Sequence, residues 1–464
     1  MGTHVWDRAV VLGGSLGGLF AARVLSEMFA EVLVVDRDEL TDVEGYRRSV
    51  PHGRHAHGLI ARGQHVLEDH FPGLAEELRI AGVVPGDFSH DIQWYFNGKR
   101  LATEPTGLVG LPVTRPVLEY HVRKRIQAIP NVTFLERYDI LGLVSTPDGR
   151  RIVGARIQPH DGAEEVLHAD LVVDTTGRGS RTPLWLEELG YPRPDEERVK
   201  VNLAYTTRHF QLDHDPFGSY QAIIPVATPN IPRGAFFYRL PQGTNRVELS
   251  LTGLLGDHPP TDPDGFLAYV RSLPVPGIYE AVRDAEPIDD AVMFRFPVSV
   301  WRHYERLPGF PDGYLVMGDA VCSFNPVYGQ GMSVAALESL TLRRHLQDGV
   351  LPDPLRYFKD VAKDIKAPWD LSAGADLGYP GVEGRRTPMI RFINAYIARL
   401  QAGAVHDPAL TTAFMRAAGL IDPPQAILRP SIALRVLRAG RPPANGGSSS
   451  QDAAADSTVH TGKA

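Results

Sequence analysis

Cysteine is nearly absent: Cys322 is the only one in 464 residues. One thiol excludes an intrachain disulfide framework and a multi-cysteine zinc site, and it fits a reducing compartment. Long apolar runs are missing too. No stretch reaches the roughly 18 apolar residues of a membrane span, so no transmembrane helix is expected. Residues 1–8 lack the basic and apolar regions of a secretory signal, so a cytoplasmic location is expected. Positive charge is not in excess: 48 Lys+Arg stand against 55 Asp+Glu, a net charge of −7. That argues against a nucleic-acid partner. No internal repeat is visible. What is present is the composition of a folded chain, 43% hydrophobic and 22% charged, which excludes disorder throughout.

The first segment reads strand, glycine turn, helix, strand. Ala9-Val10-Val11-Leu12 is an apolar run ending at Gly13. Leu16, Phe20, Val24 and Met28 recur at helical spacing. Val32-Leu33-Val34-Val35 follows and stops at Asp36. Neither run alternates, as befits parallel strands covered on both faces. The turn Gly13-Gly14-Ser15-Leu16-Gly17-Gly18 carries a dinucleotide fingerprint with Ser15 in place of the middle glycine. Its helix N-terminus offers N–H groups and a positive dipole to phosphate. Asp36 stands 23 residues after Gly13, where a carboxylate meets ribose hydroxyls.

Residues 105–195 continue the mixed pattern, with a helix over 116–126 and strands near 132–135, 152–157 and 171–173. Residues 200–300 alternate in segments such as Ala235–Tyr238 and Val247–Leu251, split by Pro/Gly turns. Tyr314–Met317 returns to a buried strand. The expectation is an α/β protein: a Rossmann-like domain over 5–195 and 300–350, an inserted antiparallel β-sheet substrate domain over 196–299, a helical C-terminal region over 351–441 and a disordered tail over 442–464.

A second motif pairs Gly318-Asp319 with Asn325-Pro326-Val327-Tyr328-Gly329-Gln330-Gly331-Met332. An aspartate after a buried strand suits a polyol. A helix opening at a Gly-Gln-Gly turn favours negative charge on a polar ring edge. Arg115, opening a helix at Thr114-Arg115-Pro116, is open to two readings: contact with phosphate or ribityl oxygens, or a solvated surface arginine.

With these motifs together, the chain resembles FAD-dependent monooxygenases of the aromatic-hydroxylase-like fold over roughly residues 8–350. It is more similar still to bacterial epoxidases acting on polyether polyketide precursors, through Arg54-His55-Ala56-His57, Val173–Ser180, Asn325–Gly329 and Gly378-Tyr379-Pro380-Gly381. The resemblance implies FAD held by Gly13, Gly14, Ser15, Gly17, Gly18, Asp36, Arg37, Arg115, Asp319, Pro326, Gly329, Gly331 and Met332. It places Arg54 and His57 on a loop near the flavin. Tyr220, Phe237 and Tyr328 are candidate substrate contacts, with Phe236 and Tyr238 as further aromatics on the inserted sheet.

Two positions depart from the hydroxylases. Thr176 stands where they have the aspartate of an Asp-Gly pair that helps bind FAD and NAD(P)H, which leans the resemblance toward the epoxidases. Cys322 stands where they often have histidine, and is read as a packed residue. The implied reaction inserts one oxygen from O2 into a small apolar organic substrate through a C4a-hydroperoxyflavin, with no certain catalytic side chain. Epoxidation of an alkene in secondary-metabolite biosynthesis is the specific expectation. Phenol hydroxylation and reduction of prenyl double bonds are the alternatives. Electrons come from NAD(P)H, directly or through a flavin reductase.

Other patterns are set aside. The histidines at 52, 55, 57, 65 and 70 lack metal-ligand spacing, and no metal is expected. Gly13-Gly14-Ser15-Leu16-Gly17 matches a nucleophile elbow in letters only. The Trp-x-Trp-x-Ile-Pro segment of flavin halogenases is missing. Arg429, Arg435, Arg438 and Arg441 read as a solvated helix face or a membrane-surface contact.

Overall fold

The computed structural model describes residues 4–240 and 245–439. The expected tail at 442–464, and Arg441, lie outside the described residues. β1 (Trp6–Leu12), α1 (Leu16–Leu25) and β2 (Phe29–Asp36) form the opening unit. Then come β3 (Ile92–Phe96), α2 (Arg115–Gln127), β4 (Val132–Glu136) and β5 (Leu171–Asp174). Five strands of a second sheet follow: β6 (Glu196–Gln211), β7 (Ala222–Val226), β8 (Arg233–Arg239), β9 (Arg246–Gly253) and β10 (Val292–Arg302). The chain closes with β11 (Tyr314–Val316), α3 (Gly331–Leu346), α4 (Pro354–Asp376), α5 (Pro388–Ala404), α6 (Pro408–Ala418) and α7 (Pro430–Ala439).

The fold is α/β, as the two largest of the four sheets among the described residues show. The first is parallel, ordered β11-β5-β1-β2-β4. Its strands are apolar without alternation because α1 and α3 pack together on one side while other chain covers the opposite face. Leu12 pairs with Val35 and with Asp174. The strand ends that bear the two glycine motifs therefore flank the end of β5 on either side. Ligands of open α/β sheets bind outside these carboxyl ends.

The second sheet has nine strands. Its membership reaches beyond residues 196–299. β3 joins it from residues 92–96 and pairs with β7 in parallel, so the sheet is not wholly antiparallel. β10 runs on to Arg302, and Cys322-Ser323 adds an edge strand. The physical reason is an open edge on β7, which β3 satisfies although more than 120 residues separate them. Period-two alternation gives this sheet two faces. One packs on a core of Phe210, Phe237, Leu249, Leu251 and Phe266. The opposite face meets the glycine motifs, and the C-terminal helices pack against Trp94, Ala222 and Ile224 at its far side. Among the described residues, no helix is long and apolar enough to cross a membrane.

Candidate functional site

Gly13 leaves β1 with φ at +103°. A Cβ there would stand 2.8 Å from the Thr175 carbonyl oxygen. At Gly18 a Cβ would stand 1.8 Å from the Gly13 carbonyl oxygen, so no side chain fits between helix and turn. Gly14 N–H donates to Asp36 Oδ2 at 2.7 Å. Ser15 precedes α1 without capping it. Its hydroxyl instead accepts from Arg115 Nη2 at 2.7 Å. The first N–H groups of α1 are thus left without a side-chain cap at the mouth of the turn.

Arg115 is buried, which removes the solvated-surface reading. Its Nε donates to Glu119 Oε2 at 3.0 Å, and Arg47 donates to Glu119 Oε1 at 2.8 Å. Arg47 also reaches Asp36 Oδ2 at 3.4 Å. Burial alone would raise the Glu119 carboxyl, but Arg115 and Arg47 outweigh it and hold the group below its usual range. This network locks Asp36 and Arg115 in place around the turn.

Sequence reasoning passed over Asp174. It is fully buried and accepts from Thr176 N–H at 2.8 Å, Thr176 Oγ1 at 2.6 Å and Ser180 Oγ at 2.6 Å. Thr175 Oγ1 donates to the Leu12 and Gly13 carbonyls at 2.9 and 2.8 Å. The signal available was the Asp-Thr-Thr-Gly run directly after a buried strand.

The second motif is built the same way. Gly318 N–H donates to Glu338, a buried carboxyl on α3 pushed up to about 8 by desolvation. Asp319 is raised by burial, against the pull of Arg115, Arg178 and Arg302. Asn325 caps its own turn through Val327 N–H at 3.1 Å, and its amide reaches Asp376 at 3.0 Å. Tyr328 donates to Asp376 at 2.8 Å. Gly329 takes φ +67°. Gln330 precedes α3 without capping it, and its buried Oε1 has no hydrogen-bond partner.

Both motifs open into one cavity of about 990 Å³. Gly13, Ser15, Gly17, Asp36, Arg37, Arg115, Asp319, Pro326, Gly329, Gly331, Met332, Tyr328 and His57 all line it. Gly14 and Gly18 do not; they act behind the turn, as described. Three more of the candidate residues lie off the cavity lining. Phe237 points to the opposite face of β8 and is fully buried in the second core, while its neighbours Phe236 and Tyr238 line the cavity. Tyr220 lies away from the cavity, under the Arg100 guanidinium at 4.6 Å. Arg54 is exposed and stacks on Tyr46 at 4.6 Å. Residues not expected on the wall are Phe294, Phe296, Val298 and Val300, alternate positions of β10, with Trp94, Arg178 and Arg302. The alternation from 294 to 300 was the signal for the first four.

His52 and His57 line the cavity, with ring centroids 5.6 Å apart. Burial pulls His57 down to about 4 and His52 well below its usual range. Both rings are therefore neutral near pH 7. Among the described residues, no group of His, Cys, Asp and Glu is arranged to hold a metal ion. At the C-terminal helices, Arg435 is paired with Asp407 at 2.8 Å and Arg429 lies 3.9 Å from Asp422.

The donor set fits FAD. Two uncapped helix N-termini suit a pyrophosphate and a ring edge that gains negative charge. Asp36 suits ribose hydroxyls, and the glycines leave room that a Cβ would fill.

A cavity of this kind, at the carboxyl ends of a parallel sheet and roofed by a second sheet, defines the flavoprotein monooxygenase fold. Solved structures with this fold include the flavin-dependent brominase Bmp2 (TM-score 0.64, 16% identity, 89% of this chain and 93% of that one). Another is p-nitrophenol 4-monooxygenase PnpA from Pseudomonas putida DLL-E4 (TM-score 0.62, 14% identity, 90% and 99%). No family model matches the chain. The chain belongs to the same family as Protein Rv3254 of Mycobacterium tuberculosis, to which it is 33% identical over 439 residues, 90% of each chain. It is also 27% identical over 333 residues to digeranylgeranylglycerophospholipid reductase 2 of Methanopyrus kandleri, covering 70% of this chain and 72% of that protein.

Proposed function

We propose that this chain is an FAD-dependent monooxygenase that inserts one atom of O2 into a small apolar organic substrate, with alkene epoxidation as the specific reaction. The observation that carries the proposal is the convergence of two uncapped helix N-termini, at Ser15 and Gln330, on one cavity whose sheet wall carries Ile224, Phe236, Phe294, Phe296, Val298 and Val300. FAD, reduced by NAD(P)H directly or through a separate reductase, supplies the electrons and the activation of O2.

The chain's residues supply the rest. Gly13, Gly17 and Arg115 hold the pyrophosphate side, and Asp36 and Arg37 the adenosine side. Asp319, Arg178 and Arg302 surround the polyol side. Gly331 and Met332, at the start of α3, present N–H groups to the ring edge. Phe236, Phe294, Phe296, Ile224 and Tyr328 exclude water and orient an apolar substrate. Burial leaves His52 and His57 as neutral walls. An alkene needs no side-chain base to ionise it, and burial leaves His52 and His57 only weakly basic. A phenol would benefit from one.

The Methanopyrus relative favours one other reading, saturation of prenyl double bonds. Turnover of an apolar alkene panel under 18O2 separates the two. A monooxygenase gives a labelled epoxide and stops without oxygen. A reductase gives an unlabelled, saturated product with oxygen excluded.

A further inference from the structure

The face of the large sheet that looks toward the cavity is aromatic along most of its width, at Tyr205, Phe236, Tyr238, Phe294 and Phe296. A polar stripe interrupts it. Thr207 pairs directly with Ser250 across β6 and β9, and His209 pairs with Glu248 two positions on. Thr207, Ser250 and Glu248 are each at most 2% exposed. Burying three polar groups beneath an aromatic wall is costly unless they are bonded, and these are bonded to one another in a line.

The line runs from solvent inward. Asp289, whose side chain is 42% exposed, accepts from His209 Nδ1 at 2.6 Å. His209 Nε2 lies 3.4 Å from Glu248 Oε2. Glu248 Oε1 meets the Ser250 hydroxyl at 2.9 Å, and Ser250 Oγ is 2.5 Å from Thr207 Oγ1. Thr207 Oγ1 is 2.8 Å from His55 Nδ1. The other ring nitrogen, His55 Nε2, is buried and has no partner. The His55 ring packs 5.7 Å from Phe294, a cavity wall residue, and the next residues, Ala56 and His57, line the cavity.

We infer that Asp289, His209, Glu248, Ser250, Thr207 and His55 form a proton-conducting file between solvent and the cavity. A proton bound at the Asp289–His209 end releases the His209 Nε2 proton to Glu248. Glu248 passes one to Ser250, Ser250 to Thr207, and Thr207 to His55 Nδ1, and the Nε2 proton leaves toward the cavity. One proton enters and one leaves; no heavy-atom bond changes and no electron moves. Both hydroxyls rotate, and the His209 and His55 rings turn over to regain their starting tautomers, to reset the file. The need is in the stoichiometry. Inserting one oxygen atom from O2 takes two electrons and two protons, and yields water. A nicotinamide hydride brings two electrons and one proton equivalent, so one proton comes from solvent into a cavity built to exclude it.

The charges along the file agree. At His209, burial opposes the imidazolium, but hydrogen bonds to Asp289 and Glu248 outweigh it and lift the group to about 9. Burial lowers His55 to about 4, against the pull of Glu248. The outer member is charged and the inner one neutral. The other titratable groups around the file are Tyr46 and Tyr238, which face Glu248, then His57 and Arg54 near His55, and Arg208, which donates to the Asp289 carbonyl.

The inference rests on the reading of the cavity as a flavin site, and its test separates the two. Thr207→Val keeps the shape and breaks the file; Thr207→Ser keeps the hydroxyl. The FAD-loaded proteins are reduced anaerobically with the methyl viologen radical cation, a one-electron donor that releases no proton of its own, in a stopped-flow cell containing a pH-indicator dye. Proton uptake should slow about a hundred-fold or more in Thr207→Val, the size expected for a lost proton-transfer partner, and stay close to wild type in Thr207→Ser. Equal uptake in all three, with unchanged melting temperatures, overturns the file and leaves the flavin site standing. Failure to bind FAD overturns the flavin site alone. The file is then read from solvent exchange of the His55 ring N–H by 15N-histidine NMR, which should be slower in Thr207→Val and not in Thr207→Ser. Identical exchange in the two variants overturns it there too.

Discussion

Arg115 donates to the Ser15 hydroxyl across 2.7 Å, so the first residue of α2 is tied to the residue before α1, 100 positions away. The bond turns the Ser15 side chain toward Arg115 rather than toward the helix it precedes. The N–H groups of α1 are left for a ligand. Glu119 holds the other edge of the same guanidinium.

Arg115→Lys should therefore weaken FAD binding, although charge is kept. A lysine cannot bond Ser15 and Glu119 in the same fork. The expected loss is about ten-fold to a hundred-fold in Kd, on the order of 1.4–2.8 kcal/mol, measured by quenching of flavin fluorescence. An unchanged Kd removes Arg115 from the cofactor site.

Gly18→Ala tests the turn itself. The new methyl meets the Gly13 carbonyl oxygen, which belongs to the backbone and has nowhere to move. Destabilisation of about 1–3 kcal/mol, seen as a lower melting temperature, should accompany loss of bound flavin. Gly277→Ala, exposed, outside the cavity and with nothing within 4 Å of a Cβ, is the matched control and should change neither.

Phe236 and Phe237 are adjacent and should behave oppositely. Phe237→Ala empties a fully buried site in the second core and should cost about 3–5 kcal/mol in urea unfolding. Phe236→Ala should cost much less and instead raise KM for apolar substrates or widen the range accepted. Similar unfolding free energies for the two would contradict the register of β8.

These two residues also mark where reading the sequence stops. Strand β8 was legible, and so were the aromatics on it. Which of them faces the cavity was not, because both faces of this sheet are covered and alternation no longer separates inside from outside. The glycine turn, Asp36 and the Gly318–Met332 segment were legible because each is a local pattern: strand, special turn, helix start. The pairing of β3 with β7 was hidden by its sequence separation. Asp174 was hidden because its partners, Thr176, Ser180 and Thr182, read as ordinary loop residues. The His52–His57 cluster was visible as a cluster, but its connection through Thr207 and Ser250 depends on a strand register that no local pattern encodes.

Buried acids and histidines set opposing pH slopes on stability. Glu338 is raised from 4.5 to about 8, so its contribution is present below 4.5 and lost as pH rises through 8. His55 and His57 are lowered from 6.5 to about 4, so theirs is present above 6.5 and lost as pH falls through 4. Glu338→Gln should keep an acceptor for Gly318 N–H and flatten the high-pH fall. One fewer proton released corresponds to a slope of about 1.4 kcal/mol per pH unit. Urea unfolding at pH 6, 7 and 8 gives the slope. An identical slope in variant and wild type would show that Glu338 is ionised throughout this range.

The most direct measurement of the central claim is the flavin content of the purified chain. The protein is incubated with excess FAD, desalted, and its visible spectrum recorded. NADPH or NADH is then added anaerobically. One FAD per chain is expected, with flavin bands that Gly18→Ala loses. Fast bleaching identifies direct reduction by the nicotinamide; slow bleaching identifies a separate reductase. A chain that retains no flavin after exposure to excess FAD, while remaining folded, contradicts the account.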